Sequence, residues 1–354
     1  MGFMPFQHKL IGWFAKNQRP LPWRRRYGAY EVWVSEIMLQ QTQMDTVLPY
    51  FDRWMKALPS LEALANADEK RVLKLWEGLG YYSRARNIHQ SAKLLVEKNG
   101  GRFPEDFESI LALKGVGRYT AGAIASIAFN KPKPIVDGNV LRVLSRLYAL
   151  KEPIDGNIEI FWNLQESLIP KENPRDFNQG LMELGALVCT PQNPACALCP
   201  VNMFCKAFKE GDPEAYPVRS PRKKTVKVEA AALALKKGEK YLLRLRPLGG
   251  IMGGLWEFPE WKMARDKALP IGKKSAQLKN LIKKEFSLNG IGLEHAGKIK
   301  RNYTHHLENL DIFSAALDKN IEPKTKWEHA WASPKEFSKY PFSSAHAKIA
   351  ALLQ

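Results

Sequence analysis

The chain has 354 residues, 45% of them hydrophobic and 25% charged, a globular composition that excludes a disordered, collagen-like or low-complexity protein. Lys and Arg number 54 against 36 Asp and Glu, so the formal net charge is +18 and a polyanion, most commonly nucleic acid, is the expected partner. The length points to two domains; no apolar run approaches the ~18 residues of a membrane span, so a cytoplasmic location without a membrane partner is expected.

In chain order, Phe6 to about Cys205 reads as helical, with apolar residues recurring at three and four, as at Leu141, Leu144 and Leu147. The expected fold class is multidomain: an all-α domain over 1–205, a linker over 206–225 holding Pro213, Pro217, Pro221 and Arg222–Lys224, and a small α+β domain over 226–354. In that last part Val226–Leu235, Tyr241–Leu245 and Leu310–Ala316 read as strands and Ala276–Phe286 as a helix. The charge surplus is shared, +8 for residues 1–224 and +10 for 225–354, so a polyanion has a basic surface on both parts.

Three segments of the helical part carry chemistry. Trp33–Gln43 reads as one helix with Glu36, Gln40 and Gln43 along a stripe. A carboxylate beside Trp33, Ile37 and Leu39 is desolvated, which raises its pKa and suits a general acid; the plainer alternative is a solvated polar face. Leu113–Ala121 places Gly115 and Gly117 around Val116 before a small-residue helix, the pattern of a helix-hairpin-helix whose backbone N–H groups grip a DNA phosphate, a simple interhelical turn being the alternative. Asp137 precedes the helix Leu141–Leu150 and reads both as its N-cap and as a carboxylate held ionised by the helix N-terminus. One near-neutral and one ionised carboxyl group are what cleavage of a glycosidic bond requires.

All four cysteines, Cys189, Cys196, Cys199 and Cys205, fall in one short stretch. Clustering speaks for a metal site rather than disulfides; with a single C-x2-C pair present, a cubane iron–sulfur cluster is favoured over zinc.

Taken together, L-P-W at 21–23, W-V-S-E-I-M-L-Q-Q-T-Q at 33–43, G-L-G-Y-Y-S-R-A-R-N at 78–87, the hairpin, V-D-G-N-V at 136–140 and the cysteine spacing resemble the adenine DNA glycosylases, the MutY family of the helix-hairpin-helix glycosylases. The resemblance runs over nearly the whole chain. It implies a monofunctional glycosylase that removes adenine opposite 8-oxoguanine or guanine in double-stranded DNA and leaves an abasic site. Glu36 becomes the acid that protonates adenine N7, and Asp137 the carboxylate facing the oxocarbenium sugar, with Tyr119 and Asn139 bonded around that centre. Trp23, Arg24, Leu39 and Glu183 match positions lining the adenine pocket, Gln40 or Gln41 fills the gap in the base stack, and Tyr81 wedges beside the oxidised guanine. The cysteines match the ligands of a [4Fe-4S] cluster. A tyrosine at 119, where strand-cleaving relatives such as endonuclease III carry a lysine, excludes a Schiff base.

The second part resembles the family's MutT-like recognition domain around R-P at 246–247 and G-G-L-W-E-F-P at 253–259. Gly254 and Glu260 fit the first half of the metal-binding box of that fold, but Ala268–Lys273 supplies no carboxylate, so the domain is expected to bind a damaged base without hydrolysing nucleotides. Tyr303–Thr304–His305 stands at the place of the family's F-S-H contact with 8-oxoguanine. A monomer associated with a bacterial nucleoid is expected, with the linker open to other repair proteins. Thymine-mismatch glycosylases share Tyr119 but lack the long second domain. An idle damage-binding protein or a cluster-based redox sensor are the readings of other classes, and the first has no use for both Glu36 and Asp137.

Overall fold

The computed structural model describes residues 4–220, 225–248, 252–303 and 306–354. It divides into two compact units, Met1–Ala67 with Arg86–Pro221 and Asp68–Ala85 with Arg222–Gln354. No described helix is long and apolar enough to cross a membrane.

The helices up to residue 210 are α1 (Met4–Asn17), α2 (Ala29–Leu39), α3 (Met44–Ala57), α4 (Leu61–Ala65), α5 (Glu69–Leu75), α6 (Ser83–Asn99), α7 (Phe107–Leu111), α8 (Arg118–Ala123), α9 (Gly138–Tyr148), α10 (Ile158–Leu168), α11 (Pro174–Leu187) and α12 (Lys206–Glu210). In the first unit the apolar stripe of α9, Val140, Val143, Leu144 and Leu147, meets Phe6 and Leu10 of α1, Phe161 of α10, and Phe177, Leu181 and Leu184 of α11. Helix α2 is buried on every side from Val32 to Met38, which makes it the rigid centre on which a side chain such as Glu36 can be held out of water.

Three expectations are corrected here. Trp33–Gln43 is not one helix: α2 ends at Leu39, Gln41 takes a left-handed φ of 56°, and Gln43 caps α3. Gln40 and Gln43 therefore do not continue a stripe with Glu36; the chain must reverse between two packed helices, and periodicity carries no sign of that turn. The stretch 206–225 is not a free linker throughout. Helix α12 buries Ala207, and the Tyr216 carbonyl accepts from Arg146 Nε at 3.1 Å, so the chain stays bound to the first unit as far as Pro221. Finally, Asp68–Ala85 packs with the second unit rather than the first, through hydrogen bonds such as Tyr82 Oη to the Phe342 carbonyl at 2.6 Å, a sequence separation of 260 that no local pattern reveals.

In the second unit a seven-stranded sheet runs β1 (Val226–Lys237), β2 (Lys240–Leu245), β3 (Trp256–Glu257), β4 (Glu260–Arg265), β5 (Glu294–Tyr303), β6 (His306–Leu317) and β7 (His329–Ala332), in the spatial order β3-β2-β1-β6-β5, with β4 also on β1 and β7 on β2. Strand β1 pairs parallel with β6 from Val226 opposite His306 to Lys237 opposite Leu317. Both faces of β1 are covered, so its run of Ala and Leu is continuous rather than alternating. Ala230 and Ala232 face a core with Phe258, Phe337, Phe342 and Ile349 of α14 (Ser344–Leu352), after α13 (Ile271–Phe286), whose Leu278, Ile282 and Phe286 meet Ala231, Leu233 and Leu235 on the other face. The predicted strands and helix are found with longer bounds; β3, β4, β5 and β7 were not read from the sequence, being short, charged or interrupted.

Candidate active site

Glu36 is 3% exposed. Tyr119, brought by α8, donates its hydroxyl to Glu36 Oε2 at 2.7 Å. Burial raises the carboxyl pKa to about 7; the Tyr119 hydrogen bond opposes the shift and the nearby Asp137 reinforces it. The group is thus a proton donor at neutral pH. Tyr119 is itself pushed well above the ordinary phenol value, by burial and then by the two carboxylates, so it stays a neutral donor.

Asp137 caps α9: its Oδ1 accepts from the Val140 N–H at 2.7 Å and its Oδ2 from Asn139 Nδ2 at 3.0 Å. These donors favour the ionised form, yet burial outweighs them and the pKa lies above the ordinary aspartate value. The helix N-terminus therefore does not by itself depress Asp137 as the sequence suggested. Arg142, one turn along α9, fixes the orientation of the Asn139 amide by donating to its Oδ1 at 2.9 Å while also donating to the carbonyls of Gly185 and Cys189, each at 2.7 Å. Gly185 of α11 is needed for this approach, because a Cβ there would lie 2.6 Å from Asn139 Cβ.

Glu36, Tyr119, Asp137 and Asn139 line one cavity of about 670 Å³ together with Trp23, Arg24, Leu39, Gln40, Gln41 and Glu183. Trp23 is buried edge-on to Phe51, the centroids 5.1 Å apart. Glu183 is held in a fork: Arg19 donates through Nε and its terminal nitrogen at 2.8 and 2.9 Å, and Arg24 at 3.0 Å. Burial alone would raise its pKa, but the hydrogen bonds and charges of the two arginines hold it down at about 2. Arg24 is further anchored by Gln179 Oε1 at 3.0 Å, and Gln40 donates to Thr120 Oγ1 at 3.2 Å. Arg19, Thr120, Arg142, Gln179 and Gly185 were missed from the sequence. Each acts on a residue 43 to 164 positions away except Arg142, which also reaches Asn139 at i−3.

The predicted hairpin is α7, a turn and α8. Gly115 has a φ of 79°, and the turn is pinned by Ser91 Oγ, which accepts from the Lys114 N–H at 2.9 Å. Gly117 caps α8 and is exposed, and a Cβ there would meet nothing within 4 Å. Tyr81 belongs to the other unit, exposed and with a φ of 46°. Tyr303 closes β5, while Thr304 and His305 lie outside the described residues.

The four cysteines converge on one small cavity with Arg146, whose guanidinium lies 3.3 Å from Cys189 Sγ. Burial raises the thiol pKa of Cys196, Cys199 and Cys205, Cys199 to about 11, so these three need a cation to ionise them at neutral pH. Among the described residues, three candidate ligand atoms come within 4.8 Å of one another only at Glu257, Glu260 and His346. Four thiols lining one cavity are the donor set of a thiolate-held metal group. The Glu257, Glu260 and His346 trio is already compensated. Arg244 and Arg246 pair with Glu257, Arg246 and Arg301 with Glu260, and His346 Nε2 lies 2.9 Å from Glu260. Helix α13, next in the chain, carries one carboxylate, Glu285, and it is taken up by Arg244 and Trp261.

Residues 34–166 match the family model of the HhH-GPD superfamily base excision DNA repair proteins, and residues 230–352 that of the NUDIX domain. The chain is 35% identical to the adenine DNA glycosylase of Homo sapiens, covering 99% of this chain and 74% of that one. With the adenine DNA glycosylase of Mus musculus the identity is 36%, covering 97% and 77%. Among solved structures, a thermostable thymine-DNA glycosylase is similar at a TM-score of 0.53 and 29% identity, over 58% of this chain and 95% of that one.

Proposed function

The chain belongs to the adenine DNA glycosylase family of base-excision repair enzymes, and from that premise we propose that it hydrolyses the N-glycosidic bond of adenine opposite 8-oxoguanine or guanine, using Glu36 as acid and Asp137 as the electrostatic partner of the sugar. The observation that carries this reading is the buried Glu36 carboxyl, with its pKa raised to about 7, in a cavity that Asp137 also lines. Its volume of about 670 Å³ accommodates a base turned out of the duplex, which the chemistry requires because the reacting atoms are inaccessible in the stack.

Glu36 gives its proton to a ring nitrogen of the extruded adenine, N7 by likeness to the family, and the electrons of the glycosidic bond leave with the base. The Asp137 carboxylate, oriented by Asn139 and the Val140 N–H, faces the positive charge left on the sugar. Water adds at the anomeric carbon and returns a proton to the Glu36 carboxylate, and the products are free adenine and an abasic site. Tyr119 orients Glu36; a phenol forms no Schiff base, which supports base removal without strand cleavage. Trp23, Leu39 and the Arg24–Glu183 pair form the base pocket, and Gln40 or Gln41 with Tyr81 occupies the disturbed stack. Gly115 and Gly117 take a phosphate of the backbone.

The donor set of Cys189, Cys196, Cys199 and Cys205, spread around one cavity beside Arg146, supports a [4Fe-4S] cluster. Cys189, Cys196, Cys199 and Cys205 would hold such a cluster, which when bound would cross-link residues 189–205, the loop to which Arg142 and Arg146 donate hydrogen bonds. Tyr303, Thr304 and His305 supply the discrimination for 8-oxoguanine; this rests on the family likeness and the NUDIX match. The protein acts as a monomer on duplex DNA, nucleoid-associated.

Single-turnover excision on duplexes holding adenine opposite 8-oxoguanine, guanine or thymine, followed by mild alkali, tests the proposal. Cleaved strands should appear only after alkali, fastest opposite 8-oxoguanine. Equal rates on all three duplexes, or breaks before alkali, overturn it.

A further inference from the structure

Tyr81 is exposed and takes a φ of 46°, immediately after Gly80 at 71° and three residues after Gly78 at 102°. Glycine adopts such angles freely, but a bulky aromatic residue does so only when its surroundings impose them. The surroundings are specific. Trp76 Nε1 donates to the Gly80 carbonyl at 3.0 Å, and Arg84 donates to the carbonyls of Leu79 and Gly80 at 3.0 and 3.2 Å. The same guanidinium lies over the rings of Trp76 and Tyr81, 5.2 and 5.6 Å from their centroids.

The turn is also tied to a residue more than 250 positions away. Tyr82 Oη accepts from the Gly78 N–H at 3.3 Å and donates to the Phe342 carbonyl at 2.6 Å. The Phe342 N–H in turn donates to the Glu77 carboxylate at 2.9 Å. Both backbone groups of Phe342 are thus used to hold the two ends of the turn that presents Tyr81. Phe342 is itself packed into the core: its ring is stacked on Phe258 with centroids 5.8 Å apart and edge-on against Phe337, and its backbone bridges to Trp256.

We propose that Tyr82 and Glu77 are positioning residues that clamp the Gly78–Tyr81 turn to Phe342, so that insertion of Tyr81 beside the base opposite adenine depends on the folded core of the second unit. The inference rests on the reading of Tyr81 as the wedge. It gives the second unit a part in lesion recognition separate from Tyr303–His305: it sets the conformation of a side chain that belongs to the segment before α6.

A double-mutant cycle on the full-length protein tests it, with Tyr81→Ala, Tyr82→Phe and the double variant. Each is measured for single-turnover excision opposite 8-oxoguanine and guanine, and for the fluorescence of 2-aminopurine placed next to the 8-oxoguanine. Tyr82→Phe removes one hydroxyl and should lower excision opposite 8-oxoguanine about fivefold to tenfold, the loss expected for a buried hydrogen bond, and blunt the fluorescence change. In the Tyr81→Ala background the same substitution should cost almost nothing, because its effect passes through Tyr81. Equal losses in both backgrounds mean general destabilisation and overturn the clamp, as does an unchanged rate for Tyr82→Phe beside a defective Tyr81→Ala. A Tyr81→Ala variant with wild-type excision and fluorescence overturns the wedge reading itself, and the clamp with it.

Discussion

Glu36 and Glu260 are both glutamates withdrawn from water, each with a hydrogen-bonding ring group close by, Tyr119 at 2.7 Å and His346 at 2.9 Å, yet their proton affinities move in opposite directions. Burial raises Glu36 to about 7 because its neighbours are a neutral phenol and a second carboxylate; Arg24 opposes that shift only weakly, being committed to Glu183 and Gln179. For Glu260 burial is outweighed by His346, Arg301 and Arg246, which hold its carboxyl well below the usual range. Burial alone does not decide the state of a carboxyl group; the placement of counter-charge does. In the pocket the arginines have been drawn off to Glu183, which leaves one acid uncompensated and able to give a proton. In the sheet unit Arg244, Arg246 and Arg301 are paired with Glu257, Glu260, Glu285 and Glu308.

The largest expected effect separates the two sites by activity. Glu36→Gln should lower adenine excision by about 10²–10⁴ while retaining duplex affinity, as loss of a general acid requires. Parallel loss of binding and turnover, read by single-turnover kinetics and a binding titration, would assign Glu36 a structural role.

Next in size is the same substitution at the other site. Glu260→Gln leaves Arg246, Arg301 and His346 facing a neutral amide, and should destabilise the sheet unit by about 3–5 kcal/mol in thermal unfolding at pH 7. A depressed carboxyl pKa contributes stability that is present above the unfolded value and lost as pH falls through the folded one, so the difference from wild type should shrink in acid, below the ordinary carboxyl value of 4.5. A difference that persists unchanged at low pH would contradict the counter-charge account.

At Glu36 the sign reverses. A carboxyl raised from 4.5 to about 7 is still protonated in the folded protein where the unfolded chain has already ionised, so stability falls from pH 4.5 to 7; Glu36→Gln should therefore stabilise the helical unit by about 3 kcal/mol at pH 8, a gain that fades between pH 7 and 4.5. Calorimetry at pH 8 and pH 5 checks this, and a variant less stable than wild type at pH 8 refutes it. The smallest effect concerns Tyr119→Phe. Removing the hydroxyl removes a bond that favours the ionised form of Glu36, so the alkaline fall of the excision rate, expected near pH 7 in the wild type, should move to higher pH. A shift to lower pH would show that Tyr119 acts otherwise.

Much of this was legible in the residues. The strand-like apolar run of Val226–Leu235, the three-and-four spacing of Leu141, Leu144 and Leu147, the cap at Asp137, and the glycines of the hairpin are local patterns, and local patterns report periodicity, caps and turns directly. The sequence also marked Glu36 and Asp137 as a pair with different tasks. It could not show that α2 ends at Leu39, that the stretch after Cys205 stays bound to α9, or that Asp68–Ala85 sits with a core built from residues 222–354. Nor could it show that Arg19 and Arg24 close on Glu183 and leave Glu36 uncompensated, because a side chain's charge environment is set by contacts across 80 or more positions of chain. The amino-acid sequence determined which groups are present and which local elements carry them; tertiary packing decided which charge each one meets, and hence which carboxyl group holds a proton at neutral pH.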